Sequence, residues 1–412
     1  MAFASLRVLD LTQGPLLVAG NMLAKLGADV IAVEPPARVA ARRTAPATWS
    51  AFASGKRGVT CDLQSEGGRT LFARLASTAD IVITGDDLSG DALPLLDWDR
   101  LLADNPRLIL VSVTPFGEDG PKSGYAATDL IIWAAGGPLH PSRDGERPPL
   151  RISSDQALLH AGSDAALGAL IALAARERTG RGQKVTVSAQ QSAAQATLSI
   201  VLAAPVGHEG YTIMAPTQKA KPGEKRVLDL SGSGVRTRRS KWTVKDGFVE
   251  LHLAMGPAGG RFTNNLFAWL HSIGACQDRF LAWNWAETVP AQIESGEISD
   301  DDMEEARADV AAALAGFTKC ELLEVSIRHK LLLAPIMTVA DLAESDHLEA
   351  RGVFVDVAEG SDRRRVPFAL TGRLPESPAA GAPALGEHNA AVYGELGLGP
   401  DDLAALVSED VI

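Results

Sequence analysis

Cysteine is scarce in this chain. Only three occur among 412 residues, Cys61, Cys276 and Cys320, and none forms a C-x-x-C pair. That spacing excludes a disulfide framework and a structural zinc site, and no bound metal is expected. Positive charge is also in short supply, with 39 Lys and Arg against 51 Asp and Glu and a net charge of −12. A chain this acidic does not attract nucleic acid or anionic lipid through its overall field. No uninterrupted run of about 18 apolar residues appears, so no segment reads as a membrane span. The first residues, MAFASLRVLDL, lack the charged start, apolar core and cleavage site of a secretion signal. Two nucleotide signatures are missing as well. The turn after the first strand reads T-Q-G-P-L-L-V-A-G rather than G-x-G-x-x-G, and no P-loop lysine motif occurs. NAD and ATP chemistry are therefore not expected, and the chain reads as a soluble protein of a reducing, cytoplasmic compartment.

What is present is apolar material: 46 % of residues are hydrophobic and 22 % charged, enough for a buried core. The length suggests two or three domains. Gly is plentiful at 39 residues and aromatics amount to 5 %, a balance that fits an α/β enzyme.

RVLDL reads as a buried strand, LLVAGNMLAKLG as a helix closed by Gly27, and ADVIAVE as a second strand stopped by Pro35-Pro36. The β-α-β unit implies parallel strands with a right-handed crossover. GVTCDL, DIVITG, RLILVSVTPFG and KVTVS continue as strands, with EGGRTLFARLAST as a helix between the first two. An open, doubly wound sheet is expected. Ser153 and Ser154 offer N-caps to a long Ala/Leu-rich helix from Gln156 to Arg178, and QQSAAQATLSIVLAA forms another. Polar, Pro/Gly-bearing residues 206–235 read as a linker between a first domain at 1–205 and a smaller one at 236–345. The smaller domain opens with a hairpin, SKWTVKDGFVELHLA, turning at Asp246-Gly247. Residues 346–412 form a C-terminal segment in which DRRRVPFALTGRLPESPAAGAPALGEHNAAVYGELG is extended and Pro/Gly-rich before a last short helix.

LGADVIAVEPP, GKRGVTCDL and TGRGQKV, in this order and spacing, resemble the class III CoA-transferase family, also called CaiB/BaiF. LILVSVTPFGEDGP and LTGRLPESPAAGAPALGEHN strengthen the resemblance. It implies a Rossmann-like domain built from both chain ends, a small α+β domain from the middle, and two protomers interlocked as links. It also implies that acyl-CoA and a carboxylic acid are the substrates, with no permanently bound cofactor. The interlocked partner is a second copy, or a paralogue, as in heteromeric members where one subunit carries the catalytic aspartate.

Candidate CoA contacts follow. Arg38, Arg42 and Arg43 lie just beyond the second strand, on the edge where α/β sheets bind ligands, and cations there suit phosphates. Lys56 and Arg57 precede the third strand and are candidates for the same role. Thr114, Pro115 and Phe116 follow a strand end and line a pantetheine channel or form a turn. In family transferases, the resemblance implies, a carboxylate near the start of the long helix attacks the thioester, because it serves as both nucleophile and leaving group. Counting back from Thr179-Gly180, that position falls on Leu158, which cannot be acylated. Asp155, about one turn earlier, either replaces it or stabilises the helix N-terminus. His160 and Asp164, four apart, have the spacing of a helical pair. The racemase branch needs a histidine where Thr128 stands, before Asp129, and an aspartate where Leu158 stands, so racemase chemistry is disfavoured. MGPAGGRF, with Gly256, Gly259 and Gly260, reads as a lid loop or a plain turn, and Trp242, Trp269, Trp283 and Trp285 shape an apolar pocket or fill a core.

Overall fold

A computed structural model describes residues 3–36, 46–85, 97–139, 148–197, 240–359, 362–367 and 381–412. The chain divides into two compact units, residues 1–207 with 348–412, and residues 208–347.

The first unit is built on a six-stranded sheet of β1 (Arg7–Asp10), β2 (Asp29–Glu34), β3 (Arg57–Thr60), β4 (Ile81–Thr84), β5 (Ile109–Thr114) and β6 (Lys184–Ser188). The strand order is β3-β2-β1-β4-β5-β6, and every pairing is parallel. Parallel strands are buried on both faces, which explains the nearly continuous apolar runs. Alternation along each strand sends Val8, Ile109 and Val111 to one core, and Leu9, Leu108 and Leu110 to the other. The chain winds outward from β1 through β2 to β3, then returns to place β4 on the other side of β1. The crevice at the carboxyl ends of β1 and β4 is thus a topological switch point, where sheets of this type receive ligands.

Helix α1 (Val18–Lys25), α2 (Pro46–Phe52), α3 (Glu66–Ala76), α4 (Trp98–Asp104) and α5 (Asp129–Ala135) precede the longest element, α6 (Gln156–Thr179). α6 buries an alanine stripe of Ala157, Ala161, Ala165, Ala169 and Ala172 in the first core. A Cβ on Gly162 would lie 2.5 Å from Val18 Cγ1, so the absent side chain sets how closely α1 and α6 approach. Gly180, at φ +72°, ends the helix in the left-handed conformation that Gly tolerates best. Although the sequence holds no uninterrupted apolar run, α6 as a whole is long and apolar enough to cross a membrane; half of that stretch is buried in the protein. Helix α7 spans Ala189–Ala194 and continues as a 3-10 turn to Thr197; the rest of the expected helix lies outside the described residues.

The C-terminal residues close the open edge of the sheet. Gly58 N donates to His388 Nδ1 at 3.1 Å, and Thr60 N donates to Asn389 Oδ1 at 2.9 Å. The Tyr393 hydroxyl donates to Thr60 O at 2.7 Å. Unpaired groups of edge strand β3 thereby find partners in residues over 300 positions away. Residues Phe354–Glu359 (β10) and Asp362–Pro367 (β11) pair as an antiparallel ribbon.

The second unit carries an antiparallel sheet of β7 (Lys241–Val244), β8 (Gly247–Leu251) and β9 (Leu333–Ile336). The hairpin forms one residue earlier than expected, with Lys245 and Asp246 in the turn and Gly247 opening β8. Trp242, Trp269 and Trp285 are buried in a single core with Phe267 and Phe280, and Trp283 packs against it, so these rings fill a core. The expected Gly-rich loop is corrected: Gly256–Ser272 is a helix containing Gly259 and Gly260. A Cβ on Gly260 would lie 2.2 Å from Trp285 O, so glycine serves close packing there rather than mobility. The expected linker, 206–235, lies outside the described residues.

Candidate active site

Asp10 ends β1 at the switch point. Its Oδ1 accepts from Thr12 N at 2.9 Å and from Thr12 Oγ1 at 2.5 Å, and its Oδ2 accepts from Lys56 Nζ at 2.7 Å. Lys56 also donates to Leu17 O at 2.8 Å. Neither side chain of the ion pair reaches solvent, both being 0 % exposed. Burial lowers the Lys56 pKa from the ordinary lysine value, against the opposing pull of Asp10. Lys56, expected at a CoA phosphate, is therefore an internal strut that ties the end of β1 to the turn entering α1. Gly20 makes room for it, since a Cβ there would sit 2.1 Å from Asp10 Oδ2.

Arg57 is corrected too. It is the first residue of β3 and so stands at the amino end of the sheet, opposite the ligand-binding edge. Its guanidinium bonds Asp29 at 2.5 Å and Glu395 at 2.6 Å, and Arg7 bonds the same two carboxylates. Two cations and two anions saturate one another. Arg38, Arg42 and Arg43 lie outside the described residues.

Thr114, Pro115 and Phe116 leave the carboxyl end of β5. Thr114 Oγ1 accepts from Gly117 N at 3.0 Å, and Pro115 O accepts from Gln190 N at 2.9 Å. Phe116 meets Tyr125 edge-on, with ring centroids 6.4 Å apart. It also lines a cavity of about 630 Å³ with Glu118, Asp119, Thr186, Ser188 and Gln190. That volume lies in the range of small-molecule sites.

The opening of α6 differs from what its sequence suggests. Asp155 occupies the N-cap position yet makes no capping bond; its carboxylate pairs with Arg151 at 2.6 Å. The cap comes from another helix. Asp129, at the start of α5, accepts from Leu158 N at 3.1 Å through Oδ1, the bond an N-cap side chain ordinarily accepts. Asp129 is only 8 % exposed. Burial pushes its carboxyl above the ordinary aspartate value, outweighing the backbone N–H of Leu158. Leu158 itself packs in the first core. His160 stacks on Trp133, centroids 6.1 Å apart, while Asp164 accepts from Gln195. The expected pairing of His160 with Asp164 is replaced by these two contacts. Sequence reasoning missed the role of Asp129, because its partner lies 29 residues away; Thr128-Asp129, reading as a helix start, was the one local signal.

A six-stranded parallel sheet with its switch point between β1 and β4 defines an open α/β fold, the class to which many ligand-binding enzymes belong. The profile of CoA-transferase family III matches residues 3–389, and the chain belongs to that family. It is 28 % identical to a formyl-CoA:oxalate CoA-transferase of Streptomyces avermitilis, covering 100 % of this chain and 99 % of that one. Over 47 % of this chain and 50 % of the other, it is 37 % identical to succinyl-CoA:(R)-benzylsuccinate CoA-transferase subunit BbsE of Thauera aromatica. An alpha-methylacyl-CoA racemase of Mus musculus is 25 % identical over 100 % of this chain and 98 % of its own. Among solved structures, a CAIB/BAIF family protein from Brucella suis superimposes with a TM-score of 0.72 at 25 % identity, covering 95 % of this chain and 98 % of the other.

Proposed function

We propose that this chain moves CoA from an acyl-CoA donor to a carboxylic acid acceptor, in the cytoplasm and without a permanently bound cofactor. The observation that carries the reading is full-length similarity to a formyl-CoA:oxalate CoA-transferase, together with carboxylates at the head of α6. The first unit is read as a Rossmann-like body assembled from 1–205 and 346–412, with 236–345 as a small domain. Arg38, Arg42 and Arg43 follow β2 and are assigned to the CoA phosphates, since cations at the carboxyl edge of a sheet suit that charge. Thr114, Pro115 and Phe116 border the pantetheine arm. Two protomers interlock. Calorimetry with CoA and succinyl-CoA, followed by transfer assays over a panel of carboxylic acids, tests this. Failure of any CoA species to bind overturns it.

Leu158 favours a second reading. It stands in the first core where the family resemblance puts the acyl-carrying aspartate. On this reading the chain is the CoA-binding, non-catalytic subunit of a heteromer, and two relatives are themselves named as subunits. Transfer activity restored only on adding an aspartate-bearing paralogue is the expected outcome. Racemase chemistry is disfavoured, because Thr128 and Leu158 supply neither of its bases.

A further inference from the structure

We propose that Asp129 carries the acyl group in this chain, in place of an aspartate at position 158. The assignment rests on the CoA-transferase reading above and names the residue that performs its covalent steps.

Position comes first. By the family resemblance, Leu158 stands at the position of the transferase nucleophile and Thr128 at that of a racemase base. Asp129 follows Thr128 directly and holds the backbone N–H of Leu158 at 3.1 Å. A carboxylate is thus present at the backbone of position 158, delivered from α5 instead of α6.

The surroundings point the same way. Asp129 is nine-tenths buried beside Leu158, Ala157 and Ile132, all members of one apolar core. Desolvation disfavours the charged carboxylate and so strengthens it as a nucleophile. One turn along α5, Trp133 is also nine-tenths buried, and its Nε1 has no hydrogen-bond partner among the described residues. Residues four apart share a helix face, so a carboxylate and an unused donor stand on the same side of α5. Asp155 has neither property: its side chain is 42 % exposed and is ion-paired with Arg151.

The chemistry balances without an added reactant. An Asp129 oxygen attacks the donor carbonyl carbon, a C–O bond forms, and the C–S bond breaks with its electron pair leaving as CoA thiolate. The thiolate then attacks the Asp129 carboxyl carbon of the anhydride, expelling the donor as its carboxylate and leaving an Asp129–CoA thioester. The acceptor carboxylate attacks that same carbon and again releases thiolate. Thiolate finally attacks the acceptor carbonyl, giving acceptor-CoA and free Asp129. No net proton or electron is transferred.

Trapping tests the assignment on the wild-type chain. Succinyl-CoA or formyl-CoA is supplied with hydroxylamine, and the resulting hydroxamate is mapped by tandem mass spectrometry. The expected result is a hydroxamate on Asp129, with Asp129→Asn lowering turnover about 1,000-fold or more. Asparagine keeps an oxygen for Leu158 N–H, so calorimetric CoA affinity is expected to be unchanged. A hydroxamate on Asp155, or only on a co-expressed paralogue, overturns the proposal and leaves CoA transfer standing. So does full turnover by Asp129→Asn, or no adduct with either donor from a chain that binds CoA. A wild-type chain that binds no CoA species overturns both.

Discussion

Replacing Lys56 with methionine is the most informative perturbation of the first unit. Lys56 and Asp10 are both fully buried, 2.7 Å apart, and Lys56 also satisfies Leu17 O. Methionine fills similar volume but leaves the Asp10 carboxylate buried without a counter-ion and Leu17 O without its donor. Breaking a buried ion pair from one side costs about 3–5 kcal/mol, because the remaining charge cannot return to water. Asp10 keeps its two bonds from Thr12, which places the expected loss near the lower end, about 3 kcal/mol. Removing the charge as well should recover part of that loss. In the double variant Asp10→Asn/Lys56→Met, the coupling should be about 1–3 kcal/mol. Hydrogen exchange of β1 and α1 peptides, measured across a urea series by mass spectrometry, reads the unit locally and does not require the whole chain to unfold in one step. A loss below about 1 kcal/mol in Lys56→Met, or a double variant less stable than the single one, would refute the reasoning.

Other outcomes follow from the same physics. Asp129→Ala should destabilise α6 by about 1 kcal/mol or more through loss of its cap, read from amide exchange of residues 156–160. The raised Asp129 carboxyl means the native state holds more protons than the unfolded state just above the ordinary aspartate value. Its contribution to stability therefore falls as pH rises through that window, and Asp129→Asn should flatten the slope in pH-dependent unfolding. Lys25 behaves oppositely: burial, with help from Lys56, lowers it to about 8. Between about 8 and the ordinary 10.5 the unfolded state holds more protons, so stability should climb with pH there and Lys25→Met should remove that climb. Gly260→Ala forces a methyl against Trp285 O and should cost about 1–3 kcal/mol, seen as a lowered urea midpoint of the second unit.

Much of the sheet was legible because parallel strands buried on two faces leave long apolar runs that local pattern exposes. Five of the six strands of the parallel sheet fall within segments named from sequence, β3 starts one residue before its segment, at Arg57, and α6 ends within a residue of its expected limit. The Gly-rich segment at 256–260 was misread for an equally physical reason. Glycine signals freedom only when nothing crowds it, and the crowding atom here, Trp285 O, lies about 25 positions away.

By itself, the amino-acid order determined the class of fold, the acidic surface balance and the family, since these depend on periodicity, composition and short motifs. Only tertiary structure decided which charges are spent inside the protein. Lys56 and Arg57 are neighbours in the chain, yet one is buried against Asp10 and the other is locked to Asp29 and Glu395 at the far end of the sheet. The cap of α6 likewise came from Asp129 on another helix, while Asp155 at its own head turned to Arg151. A buried charge must find a partner wherever packing brings one within about 3 Å, and that distance is set by how the layers close, which no local window of sequence contains.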